Sequence, residues 1–267
     1  MRVDLAAAVA VVTGVSGRLG TVWTRALLDA GARVVGLDLA GVPSPALRTV
    51  LADGSGDRFT MLAADITDRR SLEAALARCL SRVDTPTVLV NNAGIDAPPS
   101  ATTATWQFGE IPGEVSAAVL GVNAGGTLLA CQVFGAEMAR RGRGSIINIG
   151  SMYGRVAPDP RYYDHLPVDP PFLKPPAYGM SKAALAALTR YLAALWGPAG
   201  VRVNTLSPGG VLGGQDDEFR AKFTARVPMR RMAEAPDLTG PLLFLASEMS
   251  RYVTGIELCV DGGYTCW

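Results

Sequence analysis

The sequence predicts an α/β fold: one doubly wound domain with a parallel sheet of about seven strands and helices on both faces. Three observations carry this. Short β-branched runs alternate with alanine- and leucine-rich helical stretches along the whole chain. Most strand candidates are continuous apolar runs rather than alternating ones, the pattern of strands covered on both faces. A glycine-rich turn joins the first strand to the first helix.

Taken in order, the first strand is expected near 8–13 and runs into "GVSGRLG" at 14–20. A helix near 18–30 leads to a second strand near 32–38. A third strand near 59–65 is followed by a helix near 69–82, and a fourth strand near 87–93 by a long helix near 112–141. The fifth strand, near 144–151, precedes a helix near 177–197. The sixth, near 201–207, precedes a helix near 235–247, and a seventh near 255–263 ends the sheet. The irregular segments 95–111, 152–176 and 209–233 each follow a strand, so all three belong on the ligand side of the sheet. With no repeat and no linker, residues 1–267 read as a single domain.

Composition excludes several classes. The chain has 267 residues, 49% hydrophobic and 18% charged, enough for one sizeable core. A formal net charge of +1 offers no basic surface for nucleic acid. The apolar runs read as too short for a membrane span. The amino-terminal stretch carries an early Asp4 and flows directly into the glycine turn, so it reads as a strand and not a signal peptide; a cytoplasmic location is expected. Cys79, Cys131, Cys259 and Cys266 have no CxxC spacing and read as reduced thiols. With His165 the sole histidine, no metal site is expected.

The glycine turn is the first candidate site. Glycines allow a tight turn and close approach to a pyrophosphate, whose charge rests on a helix amino terminus. Gly14, Ser16, Gly17, Arg18, Leu19 and Gly20 are the candidate contacts. Asp38 ends the second strand, where a carboxylate accepts hydrogen bonds from both ribose hydroxyls of an adenosine and repels a 2′-phosphate. Leu39 follows it, so no adjacent cation invites that phosphate. NAD(H) is therefore favoured over NADP(H), although Arg18 in the turn could pair with a phosphate. Asp65 and Ile66, after the third strand, are placed to face the adenine.

At this point the chain resembles the short-chain dehydrogenase/reductase family, whose fold is of the Rossmann type. The likeness rests on "TGVSGRLG" at 13–20, "NNAG" at 91–94, Asn123 in "GVNAGGT", Ser151 in "NIGS", Tyr178 and Lys182 in "YGMSK", "RVNTLSPGG" at 202–210 and "VDGG" at 260–263. Their common order over nearly the whole chain makes it specific. More narrowly, "SMYG" with a long insert, "SPGG" and "VDGGYTCW" resembles a bacterial subgroup of flagellin-modification or sugar-biosynthesis oxidoreductases. There are departures. The middle glycine stands one place early, with Arg18 where the family usually has glycine. A threonine usual after the "PG" element is missing. The interval from Ser151 to Tyr178 is 27 residues, about twice that of most members.

The resemblance implies roles, and the residue chemistry supports them. Tyr178 and Lys182, four apart on a helix, share one face. A nearby ammonium is expected to draw the tyrosine pKa down, making Tyr178 the general acid or base. Ser151 would hydrogen-bond the substrate oxygen as charge develops. By resemblance Lys182 also holds the nicotinamide ribose, and Asn123 holds a water linking Lys182 to solvent. Asn91, Ala93 and Gly94 would lie against the cofactor ribose, and Pro208, Gly209 and Val211 against the nicotinamide. The family's usual dimer or tetramer contacts, through the helices near 112–141 and 177–197, imply a homodimer or homotetramer.

The segment 156–176 holds seven of the eighteen prolines and is expected to form an ordered, non-helical loop over the substrate. Tyr153, Arg161, Tyr162, Tyr163 and His165, with Ser151 and Tyr178, are the candidate substrate contacts, and Lys174 is a further cation on the same loop. The segment 212–232 resembles the family's substrate lid, with Gly213 and Gly214 as hinges and Arg230 and Arg231 free for an anion or a neighbouring subunit. The expected activity is NAD-dependent interconversion of a secondary alcohol and a ketone on a small sugar-, polyol- or cyclitol-like substrate. A 3-oxoacyl-thioester reductase and a non-catalytic dinucleotide sensor or scaffold remain as alternatives.

Overall fold

The computed structural model describes residues 3–96 and 104–267. Met1 and Arg2, and the part of the expected irregular segment 95–111 that falls at 97–103, lie outside the described residues. Seven strands, β1 (Val9–Thr13), β2 (Arg33–Asp38), β3 (Phe59–Ala63), β4 (Val88–Asn91), β5 (Gly144–Ile149), β6 (Val201–Pro208) and β7 (Glu257–Val260), form one sheet in the order β3-β2-β1-β4-β5-β6-β7. Every pairing is parallel. The chain order reverses between β1 and β4, which opens a crevice at the carboxyl ends of those strands.

Side chains alternate across the strands, so each strand feeds two cores. Ala10, Val12, Val34, Val90 and Ile147 point to one face, where Trp23 and Leu27 of α1 (Arg18–Asp29) and Leu238 and Leu242 of α7 (Ala235–Ala246) cover them. Val9, Val11, Val35, Leu89 and Ile146 point to the other. There they meet Leu72 of α3 (Arg69–Arg82), Phe134 and Met138 of the long helix α4 (Gly113–Arg141), and Leu192 of α5 (Pro176–Trp196). This double burial explains the unbroken apolar runs.

Local signals set the helices. Gly20, Trp23, Thr24, Leu27 and Leu28 give α1 a buried stripe at helical spacing. Asp68 caps α3 by accepting from the Arg70 amide. Pro176 at the first position starts α5. Helix α4 is long and apolar enough, by length and composition alone, to cross a membrane, contrary to the sequence expectation. Its acidic and basic residues sit near its ends, and in the fold it packs on α3 and α5. Two wider, π-type stretches, Gly121–Gly126 and Cys131–Gly135, interrupt it.

Two helices escape the sequence reading. Short α2 (Pro45–Leu51) is capped by Ser44, and α6 (Asp217–Arg226) lies inside the segment expected to be irregular. Asp216 caps α6 and accepts from the Phe219 amide, while Asp217 and Glu218 complement its amino terminus. Helix α6 belongs to a third core above the sheet. Tyr162, Tyr163 and Phe172 of the proline-rich segment pack there with Phe223, Val227, Met232 and Tyr264. That segment also holds one short 3-10 turn, Pro160–Tyr162, capped by Asp159, where the density of prolines predicts no helix. Proline at the first position of a turn loses no hydrogen bond, so the turn survives.

Candidate active site

A cleft of about 890 Å³ opens at the carboxyl ends of the strands where the chain order reverses. Gly14, at φ +63°, makes the turn out of β1, and a β-carbon there would lie 2.7 Å from Ala93 Cα. Two loops therefore cross at contact distance. Polar groups fasten the crossing: Thr13 Oγ1 accepts from the Asn92 and Ala93 amides, and Asn92 Nδ2 donates to the Thr13 and Gly14 carbonyls. Trp23 Nε1 donates to Asn92 Oδ1 at 2.8 Å. Thr13 and Asn92 were not singled out from sequence, though both belong to quoted motifs. Asn92 also lines the cleft.

Ser16, Gly17, Arg18 and Leu19 line this end of the cleft with Asp38, Asp65, Ile66, Ala93 and Gly94. Asp38 accepts from the Ser16 amide (2.9 Å) and the Leu39 amide (2.9 Å), which fixes its carboxylate over the glycine turn. Pro208, Gly209 and Val211 line the same cleft. Two expected cofactor contacts stand elsewhere. Gly20 is buried in helix packing, where a β-carbon would meet the Gly14 carbonyl at 2.2 Å. Asn91 turns into the core beneath the cleft, and its Nδ2 donates to Asn148 Oδ1 at 2.9 Å. The alternation along β4 sends Asn91 to the α4 side.

The cleft accommodates a dinucleotide on the chemistry of its walls. A β-carbon-free turn meets a helix amino terminus, a fixed carboxylate stands at the second strand, and Lys182 stands at the far end. The residues present fit a nicotinamide dinucleotide.

Ser151, Tyr178 and Lys182 all line the same cleft. Ser151 follows β5 and caps the short turn Met152–Gly154, its hydroxyl accepting from the Tyr153 amide at 3.2 Å. Tyr178 and Lys182 share one face of α5, with Lys182 Nζ 5.7 Å from the tyrosine ring centroid. Lys182 is buried and donates to the Ile149 carbonyl at 2.8 Å. Burial lowers its pKa to about 8, against an opposing pull from Asp96. Tyr178 departs from expectation. Its pKa stands above the ordinary tyrosine value, because burial outweighs every other influence; Asp96 adds to the rise and the Ser151 hydrogen bond opposes it. Lys182 does not depress it, since burial makes the lysine give up its proton before the tyrosine titrates.

Asn123 sits in the first wide stretch of α4. Its Oδ1 accepts from the Ile95 amide at 2.8 Å, and its Nδ2 donates to the Ile95 carbonyl and to Ser181 Oγ. It does not line the cleft; it fastens the 92–96 loop to α5. Gly94 permits this, because a β-carbon would stand 3.1 Å from Asn123 Oδ1.

The expected substrate contacts of the proline-rich segment stand away from this cleft, apart from Ser151 and Tyr178. Tyr153, Arg161, Tyr162, Tyr163 and His165 do not line the cleft. Tyr162 and Tyr163 are buried in the third core, and the Tyr162 and Tyr264 hydroxyls lie 2.8 Å apart. Burial raises the pKa of Tyr153 and of Tyr163, that of Tyr163 to about 12. The Arg161 side chain is 78% exposed and pairs with Asp159. His165 Nε2 approaches Asp216 Oδ1 at 3.0 Å without hydrogen-bond alignment, and Lys222 joins Asp164 to Glu218 beside it. These groups tie the segment to α6. Apolar and ionic partners distant in sequence claimed side chains that, read locally, suited a carbohydrate.

The segment does bring one side chain to the reactive end. Lys174 Nζ lies 2.6 Å from Asp96 Oδ2 and 5.0 Å from the Tyr178 ring centroid. In the 212–232 segment, Gly213 packs under the Arg18 guanidinium. Arg231 pairs with Asp237, and Arg230 donates to the Ala225 carbonyl, so both are engaged within the chain.

Glycine turn, fixed acidic residue, serine, tyrosine and lysine on one cleft define a dehydrogenase of the dinucleotide-binding α/β class. Comparison with known proteins agrees. Residues 8–163 match a family model described as short chain dehydrogenase, and residues 170–265 match one described as enoyl-(acyl carrier protein) reductase. A galactitol 2-dehydrogenase (L-tagatose-forming) of Cereibacter sphaeroides is 34% identical, over 97% of this chain and 96% of that protein. A short chain dehydrogenase from Leptospira borgpetersenii with bound NAD+ superposes with a TM-score of 0.83 at 33% identity, over 97% of this chain and 92% of that one. A gluconate 5-dehydrogenase from Burkholderia cenocepacia, in complex with NADP and tartrate, gives 0.84 at 27% identity, over 100% and 98%. The chain belongs to the short-chain dehydrogenase family and is an oxidoreductase. The narrower flagellin-modification resemblance finds no support in these relatives.

Proposed function

We propose that this protein interconverts a secondary alcohol and a ketone on a small neutral polyol, with NAD(H) as redox partner. The observation that carries the reading is the meeting of Ser151, Tyr178 and Lys182 on the same cleft as the glycine turn and Asp38. Galactitol, the substrate named for the relative of Cereibacter sphaeroides, is a compound of this class.

In the alcohol-to-ketone direction the carbinol gives up its hydroxyl proton and a hydride, and NAD+ becomes NADH. The nicotinamide, when bound, supplies the hydride chemistry. Tyr178 takes the hydroxyl proton, or returns it in the reductive direction. Ser151 donates a hydrogen bond to the substrate oxygen, which carries the developing charge. Lys182 holds the ribose, and its positive charge supports the phenolate once a bound cofactor surrounds it.

The Asp38 carboxylate, set by two amide donors, supports NAD(H) over NADP(H). The next residue, Leu39, is 74% exposed and offers no charge to a 2′-phosphate. The exposed row Met180, Tyr191 and Leu195 on α5, with Leu128 on α4, supports self-association as a homodimer or homotetramer. Four unpaired cysteines suit a cytoplasmic location.

The deciding experiment is a panel of polyols, sugars and sugar phosphates with NAD+ or NADP+, followed by reduced-nicotinamide absorbance. Turnover of a polyol with NAD+, silenced in Tyr178→Phe, is the expected result. No turnover on any polyol would remove the substrate class.

A further inference from the structure

Asp96 follows Gly94 by two residues beyond β4 and lines the cleft beside Ser151 and Tyr178. Lys174 reaches it from the proline-rich segment, 78 positions away, at 2.6 Å. The Lys174 side chain is 8% exposed and that of Asp96 37%. The cation is thus enclosed by protein while the carboxylate faces the cleft. Pro175 and Pro176 follow Lys174 immediately and lead into α5, which holds the lysine's backbone in a fixed relation to Tyr178. The pair is also electrostatically part of the reactive centre, since Asp96 acts on both Tyr178 and Lys182.

An ionised carboxylate accepts hydrogen bonds and donates none. Beside the position of the reacting carbinol, it recognises the hydroxyl on an adjoining carbon. A neutral polyol presents such a donor at every carbon. An aldonate presents hydroxyl donors too, but one of its ends is a carboxylate, which has no donor and is repelled by the like charge of Asp96. The enclosed ammonium holds the Asp96 carboxylate in one position without itself facing the substrate.

We propose that Asp96, held by Lys174, binds the hydroxyl next to the reacting carbon and selects neutral polyols over aldonate anions. The proposal rests on the polyol reading above and adds the group that enforces it. The proline-rich segment then acts as a strut that carries Lys174 to the site, braced by its aromatic contacts with α6.

The test compares galactitol with gluconate under NAD+, using wild type, Asp96→Asn, Lys174→Met and Lys174→Arg. Wild type is expected to favour galactitol. Asp96→Asn and Lys174→Met should raise the galactitol KM about tenfold or more, the size of a lost hydrogen bond to a charged group. They should move the galactitol-to-gluconate ratio of kcat/KM toward gluconate by a similar factor, with the NADH Kd within about twofold of wild type. Lys174→Arg should recover part of the ratio. Should Lys174→Met fail to fold, the isosteric Asp96→Asn decides alone. An unchanged ratio in Asp96→Asn, or a wild type that prefers gluconate, overturns the proposal while leaving the polyol reading in place. A wild type that oxidises other alcohols but no polyol overturns both.

Discussion

Lys182 Nζ donates a 2.8 Å hydrogen bond to the Ile149 carbonyl, and the two residues join α5 to the end of β5 beneath the reactive tyrosine. This buries most of an ammonium in the wall of the cleft. Its pKa falls from 10.5 to about 8 in the folded protein. Below pH 8 the lysine is protonated both folded and unfolded, and folding bears the cost of burying it. Between pH 8 and 10.5 the unfolded chain holds more protons than the folded one, so stability rises with pH through that window, by on the order of 3 kcal/mol in total. Lys182→Met should therefore unfold at a higher temperature than wild type at pH 7, without turnover. The gap should shrink as pH rises toward 9.5. Thermal melts of both proteins across pH 7 to 9.5 check this, and a gap independent of pH would refute it.

Tyr178 is held in its protonated form by burial. In the cofactor-free enzyme it is ready to donate a proton to a ketone and must first lose one to accept from an alcohol. The kcat/KM for alcohol oxidation should climb continuously from pH 7 to 9, while that for ketone reduction stays nearly level up to pH 8. Tyr178→Phe should lower kcat by about 10²- to 10⁴-fold in either direction, with NADH affinity retained. Steady-state profiles in both directions, with a fluorescence titration of NADH, make the comparison.

The Ser16 and Leu39 amides pin the Asp38 carboxylate, on which the proposed preference for NAD(H) rests. Asp38→Ser should lower kcat/KM for NAD+ about tenfold or more by removing the ribose acceptor. It should raise use of NADP+, because the charge that repels a 2′-phosphate is gone. The ratio of kcat/KM for the two cofactors is the readout, and an unchanged ratio would show that Asp38 does not discriminate.

The aromatic cluster above the sheet should behave as core. Phe223 is 1% exposed and stacks on Tyr264 with centroids 5.1 Å apart. Phe223→Ala should cost about 3–5 kcal/mol and lower Tm by several degrees. Tyr162→Phe removes the hydroxyl contact with Tyr264 and should cost about 1 kcal/mol. In Tyr162→Phe the KM for an accepted polyol should stay within about twofold of wild type. A large rise in KM without loss of Tm would restore Tyr162 as a substrate contact.

Much of the fold was readable along the chain. Strands covered on both faces are largely apolar, so the central β1 and β4 announce themselves as runs, whereas β6 carries Arg202, Asn204 and Ser207 among its apolar residues. Helix α1 shows its stripe because Gly20, Trp23, Thr24, Leu27 and Leu28 must face one sheet. Helix α6 hid because its amphipathic pattern is weak. Its buried side chain, Phe223, packs on Tyr162 and Tyr264, residues its own neighbourhood does not predict.

The sequence alone determined the parts whose chemistry depends on short spacing: the glycine turn, Asp38 at a strand end, Ser151 after β5, and Tyr178 and Lys182 one helical turn apart. Tertiary structure alone decided the rest. It took Tyr162 and Tyr163 into a core, turned Asn91 away from the cleft and engaged Asn123 with Ile95 and Ser181. It raised the pKa of Tyr178 where a neighbouring lysine was expected to lower it, and it brought Lys174 to Asp96 across 78 residues. The reason is physical. Spacing along a strand or helix fixes which side chains share a face, whereas burial and long-range pairing depend on which segments the completed sheet brings together.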